Sequence, residues 1–161
     1  MSIVSNTSPI LNLAAIGEIA LLQSLCGQIL VPSAVDQEIR RLQVSRSRFA
    51  GVSLPAFATV LSVQNAPLSE ALKLQLHPGE AEAIALAVEQ RATRLLVDEH
   101  HARLVAARLG VPTLGCLGNL LDAKRRGLIP AIRPLLEKLE TQAGFWVGKA
   151  LRAQILAAGS E

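Results

Sequence analysis

Asn6, Glu38, Glu82 and Asp98 are the residues on which chemistry could be built, each where an apolar stretch that reads as a strand gives way to a helix or on the helix that follows. They are far apart in sequence, yet a parallel sheet gathers such positions along the carboxyl edge of its strands, where open α/β folds place their sites. Carboxylates drawn together from separate segments repel one another unless a cation neutralises them. An all-oxygen set suits a hard divalent ion, Mg²⁺ or Mn²⁺. Such an ion lowers the pKa of a bound water for attack on phosphorus and steadies charge building on phosphate oxygens, which is the chemistry of phosphodiester hydrolysis. Asn6, Glu82 and Asp98 read as the metal ligands and Glu38 as a fourth catalytic group, although Asn6 is neutral where a hard cation favours a carboxylate.

Each residue also has a plainer reading. Asp98 at a strand end could simply cap the next helix, a role worth about 1 kcal/mol, and Asn6 could be a turn or cap residue. Glu80 and Glu82 could both answer a helix dipole. Being two apart they point to different sides, and Glu82 is favoured for the site with Glu80 behind it. Glu38 lies one turn from Arg41, so a surface ion pair is its ordinary alternative. Ser8 follows Asn6 by two and could orient a water at the metal, though an N-cap is its simpler duty. His101 and Arg103, just past Asp98, and Lys124 in a later basic cluster are candidates for phosphate contact.

The elements that must position these groups follow from local pattern. Ile3 to Ser5 reads as a strand, Ser8-Pro9 as a helix start, Gln28 to Val31 as a strand, and Ala34 to Leu42 as a helix capped by Ser33. A strand is expected around Thr59 to Val63 and a short helix over Ser69 to Leu76, broken at Pro78 and Gly79. Glu80 to Gln90 shows a 3.6-residue apolar period with Ala83, Ile84, Ala87 and Val88 inward. Arg94 to Val97 is a buried strand ahead of a helix from Glu99 to Leu109, and Val111 to Leu114 a further strand. Helices to Arg126, over Ala131 to Thr141 and over Lys149 to Ala158 complete the chain. Strands alternating with helices imply a three-layer α/β/α sandwich around a mostly parallel sheet. With 161 residues, a single domain spanning 1–161 is expected.

Half the residues are hydrophobic and mean hydropathy is +0.37, but no apolar run nears the ~20 residues of a membrane span. Met1 to Ser5 reads directly into a strand with no export signal, so a cytoplasmic location is expected. Cys26 and Cys116 lack CxxC spacing or a companion His, which makes them structural thiols in a reducing compartment. Net charge is +3, with Arg40, Arg41, Arg46 and Arg48 in one cluster and Lys124, Arg125 and Arg126 in another. Solvated helix ends explain such clusters, and phosphate contact is the alternative. Aromatics are 2% of the chain and Tyr is absent, so a nucleic-acid partner would be gripped by its backbone rather than stacked. GxxxxGK[ST], GxGxxG and GxSxG are all missing, which excludes the familiar nucleotide cradles and the nucleophile elbow. Phe145 and Trp146 read as core, with a partner surface as the alternative.

Five segments together resemble a known family. They are Ile3-Val4-Ser5-Asn6-Thr7-Ser8-Pro9-Ile10; Val31-Pro32 leading to Glu38; Pro78-Gly79-Glu80-Ala81-Glu82-Ala83-Ile84-Ala85-Leu86-Ala87; Leu95-Leu96-Val97-Asp98; and Ala123-Lys124-Arg125-Arg126-Gly127-Leu128-Ile129. In this order and spacing, over nearly the whole chain, they are similar to the PIN-domain proteins, in the branch of VapC-like ribonucleases. The resemblance implies a parallel sheet between helices, a Mg²⁺ or Mn²⁺ site, and cleavage of single-stranded RNA to leave a 3′-hydroxyl and a 5′-phosphate. It also implies the toxin half of a toxin–antitoxin pair, with an antitoxin protein as partner and a homodimer as the assembly. Carried over by motif, the metal carboxylates fall at Glu38, Glu82 and Asp98, and the family's first aspartate falls on Asn6. An amide there keeps an oxygen but loses one negative charge, and the competing expectation is a catalytically impaired PIN-like protein that acts by binding RNA or protein.

Overall fold

The alternation of short apolar strands with helices builds one five-stranded sheet in the computed structural model of the chain, which describes residues 1–161. The strands are β1 (Ile3–Ser5), β2 (Ile29–Pro32), β3 (Ala58–Leu61), β4 (Arg94–Leu96) and β5 (Thr113–Leu114). Their order is β3-β2-β1-β4-β5 and every pairing is parallel, with Val4 opposite Leu30 on one side and Leu95 on the other. Winding proceeds outward from β1 through β2 to β3, then returns to β4 beside β1. The strand order therefore reverses between β1 and β4, which is where such sheets open a crevice at their carboxyl ends.

The helices are α1 (Thr7–Ala15), α2 (Ile19–Cys26), α3 (Ser33–Ser45), α4 (Ala66–Leu72), α5 (Pro78–Glu89), α6 (His100–Arg108), α7 (Cys116–Arg125), α8 (Arg133–Lys138) and α9 (Lys149–Ala158). Strand side chains alternate between faces, and the two faces feed two cores. Ile3, Ile29, Val31 and Leu96 join one core with residues of α1, α2, α7, α8 and α9, whereas Val4, Leu95 and Val97 join the other with α5 and α6. The α/β/α sandwich read from the sequence is thus the observed architecture, with a sheet that is wholly rather than mostly parallel. No helix is long and apolar enough to cross a membrane.

Several local details depart from the sequence reading. Ser8 is not a cap: α1 begins at Thr7, and the Ser8 hydroxyl donates to Glu99 Oε1 at 2.7 Å. Asp98 does not cap α6, whose N-cap residue is Glu99. Pro78 and Gly79 open α5 instead of breaking a helix, because proline in the first turn has no N–H to leave unpaired. The preceding helix is shifted to Ala66–Leu72, where Asn65 Oδ1 accepts the Leu68 N–H at 3.2 Å and fixes the start. The helix expected to Thr141 ends in a π turn over Leu139–Ala143, closed by Gly144 in the left-handed region.

Helix α5 is buried on nearly all sides: Ala81, Ala83, Ile84, Ala85, Leu86 and Ala87 are all inaccessible, and only Val88 of the expected inward set is partly exposed. Its alanines let it sit close to the sheet while Ile84 fills the space beneath. Replacing Ile84 by Ala should destabilise the protein by about 2–5 kcal/mol, read as a lower urea midpoint with an unchanged slope.

Candidate functional site at the carboxyl edge

The reversal of strand order brings Asn6 and Asp98 to neighbouring strand ends, where the Asn6 N–H donates to Leu96 O at 2.9 Å. Asn6 is buried at 2% exposure; its Nδ2 donates to Glu99 Oε2 at 3.2 Å, and its Oδ1 has no partner. Asp98 Oδ1 accepts the Cys116 N–H at the start of α7 at 2.6 Å, and Asp98 Oδ2 is likewise buried and unpartnered. These are the chain's two orphaned buried side-chain oxygens. Buried polar atoms are normally satisfied, which sets these two oxygens apart from the rest of the interior.

Glu38 reaches the same edge from α3, held by the Thr7 hydroxyl, which donates to Glu38 Oε2 at 2.7 Å. The ion pair with Arg41 does not form. Gly79 lets these side chains approach the α5 backbone: a β-carbon there would stand 2.7 Å from Glu38 Oε2, 3.4 Å from Asn6 Oδ1 and 3.6 Å from Thr7 Oγ1. Glu80, next in α5, accepts the His77 N–H at 3.3 Å. Burial first, then the charges of Glu99 and Glu38, push its carboxyl above the ordinary value despite His77.

The two α5 carboxylates do lie on different sides, but Glu80 faces the site and Glu82 does not. Successive helical residues turn by about 100°, so Glu82 is carried to the N-terminus of α3. There its Oε1 accepts the Ala34 N–H at 3.2 Å and its Oε2 pairs with Lys73 Nζ at 3.2 Å. Glu99 is the residue that sequence reasoning missed. It receives both Asn6 Nδ2 and Ser8 Oγ, and the available signal was a second acid directly after a strand-end aspartate.

Among the candidates for phosphate contact, His101 lines a cavity of about 450 Å³ with Glu80 and Glu99. Arg103 Nη1 lies 3.4 Å from the point a β-carbon at Gly115 would occupy, itself 3.0 Å from Asp98 Oδ1. Lys124, by contrast, sits at the far end of α7 and is bound to Glu161 Oε2 at 3.0 Å. On the other flank, Glu38 lines a cavity of about 400 Å³ with Gln37, Arg41 and His77.

The donor set is entirely oxygen and carries an excess of negative charge, which fits a hard divalent cation. As the side chains stand they form no ready cluster of three acidic, His or Cys ligands; the fit rests on the two orphaned oxygens and on the close approach of Glu38 and Asn6 that Gly79 permits.

A wholly parallel sheet with acidic groups at its switch point defines a PIN-like α/β fold. The PIN-domain family model matches residues 2–161, and the chain belongs to that family, a family of nucleases that generally use divalent metal ions. No curated protein and no solved structure matches the chain significantly.

Burial above all, together with the Glu99 charge, raises Asp98 from 3.8 to about 6, against the lowering effects of the Cys116 N–H and Arg103. The folded state therefore holds the Asp98 proton more tightly than the unfolded chain does. The stability this confers is complete below pH 3.8 and is lost as the pH rises through about 6. In metal-free protein, Asp98→Asn should flatten the decline of Tm between about pH 4 and 7; a decline as steep as that of the wild type would contradict the assigned shift.

Proposed function

We propose that the protein is a metal-dependent endoribonuclease acting on single-stranded RNA. The observation that supports this most is the pair of buried, unpartnered oxygens, Asn6 Oδ1 and Asp98 Oδ2, at the switch point of a PIN-family sheet. Leaving a buried acceptor unsatisfied costs about 1–3 kcal/mol, and a divalent cation would offset that cost for both. Asn6 and Asp98, with Glu38, Glu80 and Glu99 around them, would hold Mg²⁺ or Mn²⁺. The bound ion would supply a hydrolytic nucleophile near neutral pH and charge stabilisation at phosphorus. Glu80 thereby takes the role that sequence assigned to Glu82, whose carboxylate is occupied by Lys73 and Ala34.

The chain's own residues prepare the site. Thr7 orients Glu38, Ser8 and Asn6 orient Glu99, and Arg103 and His101 face incoming phosphate beside Asp98 and Glu99. Glu99 brings to the edge the negative charge that an amide at position 6 lacks. On the family's ground the same proposal makes the protein a cytoplasmic, VapC-like toxin, a homodimer countered by an antitoxin. The exposed Leu74 and Trp146 offer apolar surface to such partners, whereas Phe145 packs against the core.

Asn6 itself favours a second reading, a catalytically impaired protein that binds RNA or a protein partner. Assays of labelled single-stranded RNA with Mg²⁺, Mn²⁺ or EDTA separate the two. The wild type should cleave with either ion and not in EDTA, and Asp98→Asn should lower kcat/KM by at least about 100-fold, or ~2.7 kcal/mol. Cleavage by Asn6→Asp alone would establish the impaired reading, and cleavage by neither would sink the nuclease.

A thermal readout checks the metal separately. Asn6→Asp replaces the hydrogen bond to Glu99 with a carboxylate facing a carboxylate, so it should lower Tm in EDTA. With Mn²⁺ the variant should recover more than the wild type, because affinity follows ligand charge. Equal Mn²⁺ shifts in the two proteins would place the ion away from residue 6.

A further inference from the structure

Beside the acidic edge, a cleft of about 300 Å³ starts at Thr7, Ser8 and Glu38 and ends at Arg46 and Arg48. Part of its lining is apolar, with Leu11, Leu42 and Phe145 among the residues that form it. We propose that this cleft seats the nucleotide flanking the scissile phosphate of a single-stranded RNA, with Arg48 and Arg46 holding that nucleotide's far phosphate. The inference rests on the nuclease reading for the direction of the strand, but the cleft's own features carry it.

Neither Arg46 nor Arg48 makes an ion pair, a state they share with other surface cations such as Arg41 and Arg125. Arg48 is nevertheless held. Its Cζ lies 5.2 Å from the centroid of the Phe49 ring, a cation–π contact. It also lies close to Gly144, where a β-carbon would collide with Nη1 and stand 3.0 Å from Cζ. Gly144 has φ of +67°, so glycine there serves both the turn after the π segment and the close approach of the guanidinium.

A guanidinium that is positioned yet unpaired is suited to phosphate, because its planar fork binds two oxygens at once. The cleft's polarity runs from the Glu38 carboxylate, part of the acidic edge, to the unpaired Arg46 and Arg48. Between them the volume is at the lower end of small-ligand sites, and its apolar lining suits a sugar and base edge. An RNA strand crossing the acidic edge would thus find its next phosphate met by the arginines.

Fluorescence anisotropy of a labelled single-stranded oligoribonucleotide, with the full chain in EDTA, tests the cleft without cleavage. Arg48→Gln should weaken binding about tenfold and reduce the slope of log affinity against log salt by about 0.7; Arg46→Gln should act in the same direction. Arg125→Gln, at the distant end of α7, should leave both unchanged. With Mn²⁺, Arg48→Gln should lower kcat/KM on RNA while leaving hydrolysis of bis(p-nitrophenyl) phosphate, which has no flanking nucleotide, at the wild-type rate. Wild-type affinity and salt slope in both arginine variants, or no RNA binding by the wild type, would overturn the proposal. Loss of affinity in Arg48→Gln from a protein that cleaves neither substrate would support the cleft and overturn the nuclease reading instead.

Discussion

Like charges crowded at one sheet edge are the constraint around which this molecule is arranged. Glu38 and Glu80 come from two helices, Asp98 and Glu99 from the connection between β4 and α6, and each is restrained by a separate donor. Thr7 holds Glu38, the His77 N–H holds Glu80, the Cys116 N–H holds Asp98, and Asn6 with Ser8 holds Glu99. These bonds keep the carboxylates apart without neutralising them. The residual strain is visible where burial and mutual repulsion raise Glu80 and Asp98 above ordinary carboxyl values. An aspartate at position 6 would add a further charge and forfeit a donor, so the amide is consistent with its surroundings rather than a bare loss.

Much of this was legible in the sequence. Short apolar runs ending in Asn6 and Asp98 announced parallel strands whose ends would meet, and the strong helical period after Glu80 marked α5. Glu38 could be placed because its helix follows a strand directly. What local pattern could not supply was direction. Glu82 was favoured over Glu80 on the first turns of α5, and its engagement by Lys73 and the Ala34 N–H, which lie outside that helix, could not be read from local pattern. Glu99 was hidden for the same reason, since its partners Asn6 and Ser8 are more than ninety residues away. Lys124 looked available because its partner, Glu161, lies in the last position of the chain.

Glu82 also shows how a residue outside the acidic edge shapes it. By accepting the Ala34 N–H it joins the start of α3 to α5, one turn before Glu38, and Lys73 compensates its charge. The two helices that present Glu38 and Glu80 are therefore fixed to each other on the side away from the site. The Glu-Ala-Glu sequence of α5 divides its labour, with one carboxylate turned to the edge and the other serving as a strut.

The sheet order has a consequence for how the protein comes into being. β1 is the first strand made and the central one, yet its partner β4 follows only after some ninety residues. Contacts so distant in sequence form late, because the intervening loop entropy must first be overcome by helices and strands that close locally. A nascent chain that has released α1 to α4 holds Asn6 and Glu38 but neither Asp98 nor Glu99. The acidic edge has all its members only once the chain has been made beyond β4, so an interrupted synthesis yields a partial sheet without them.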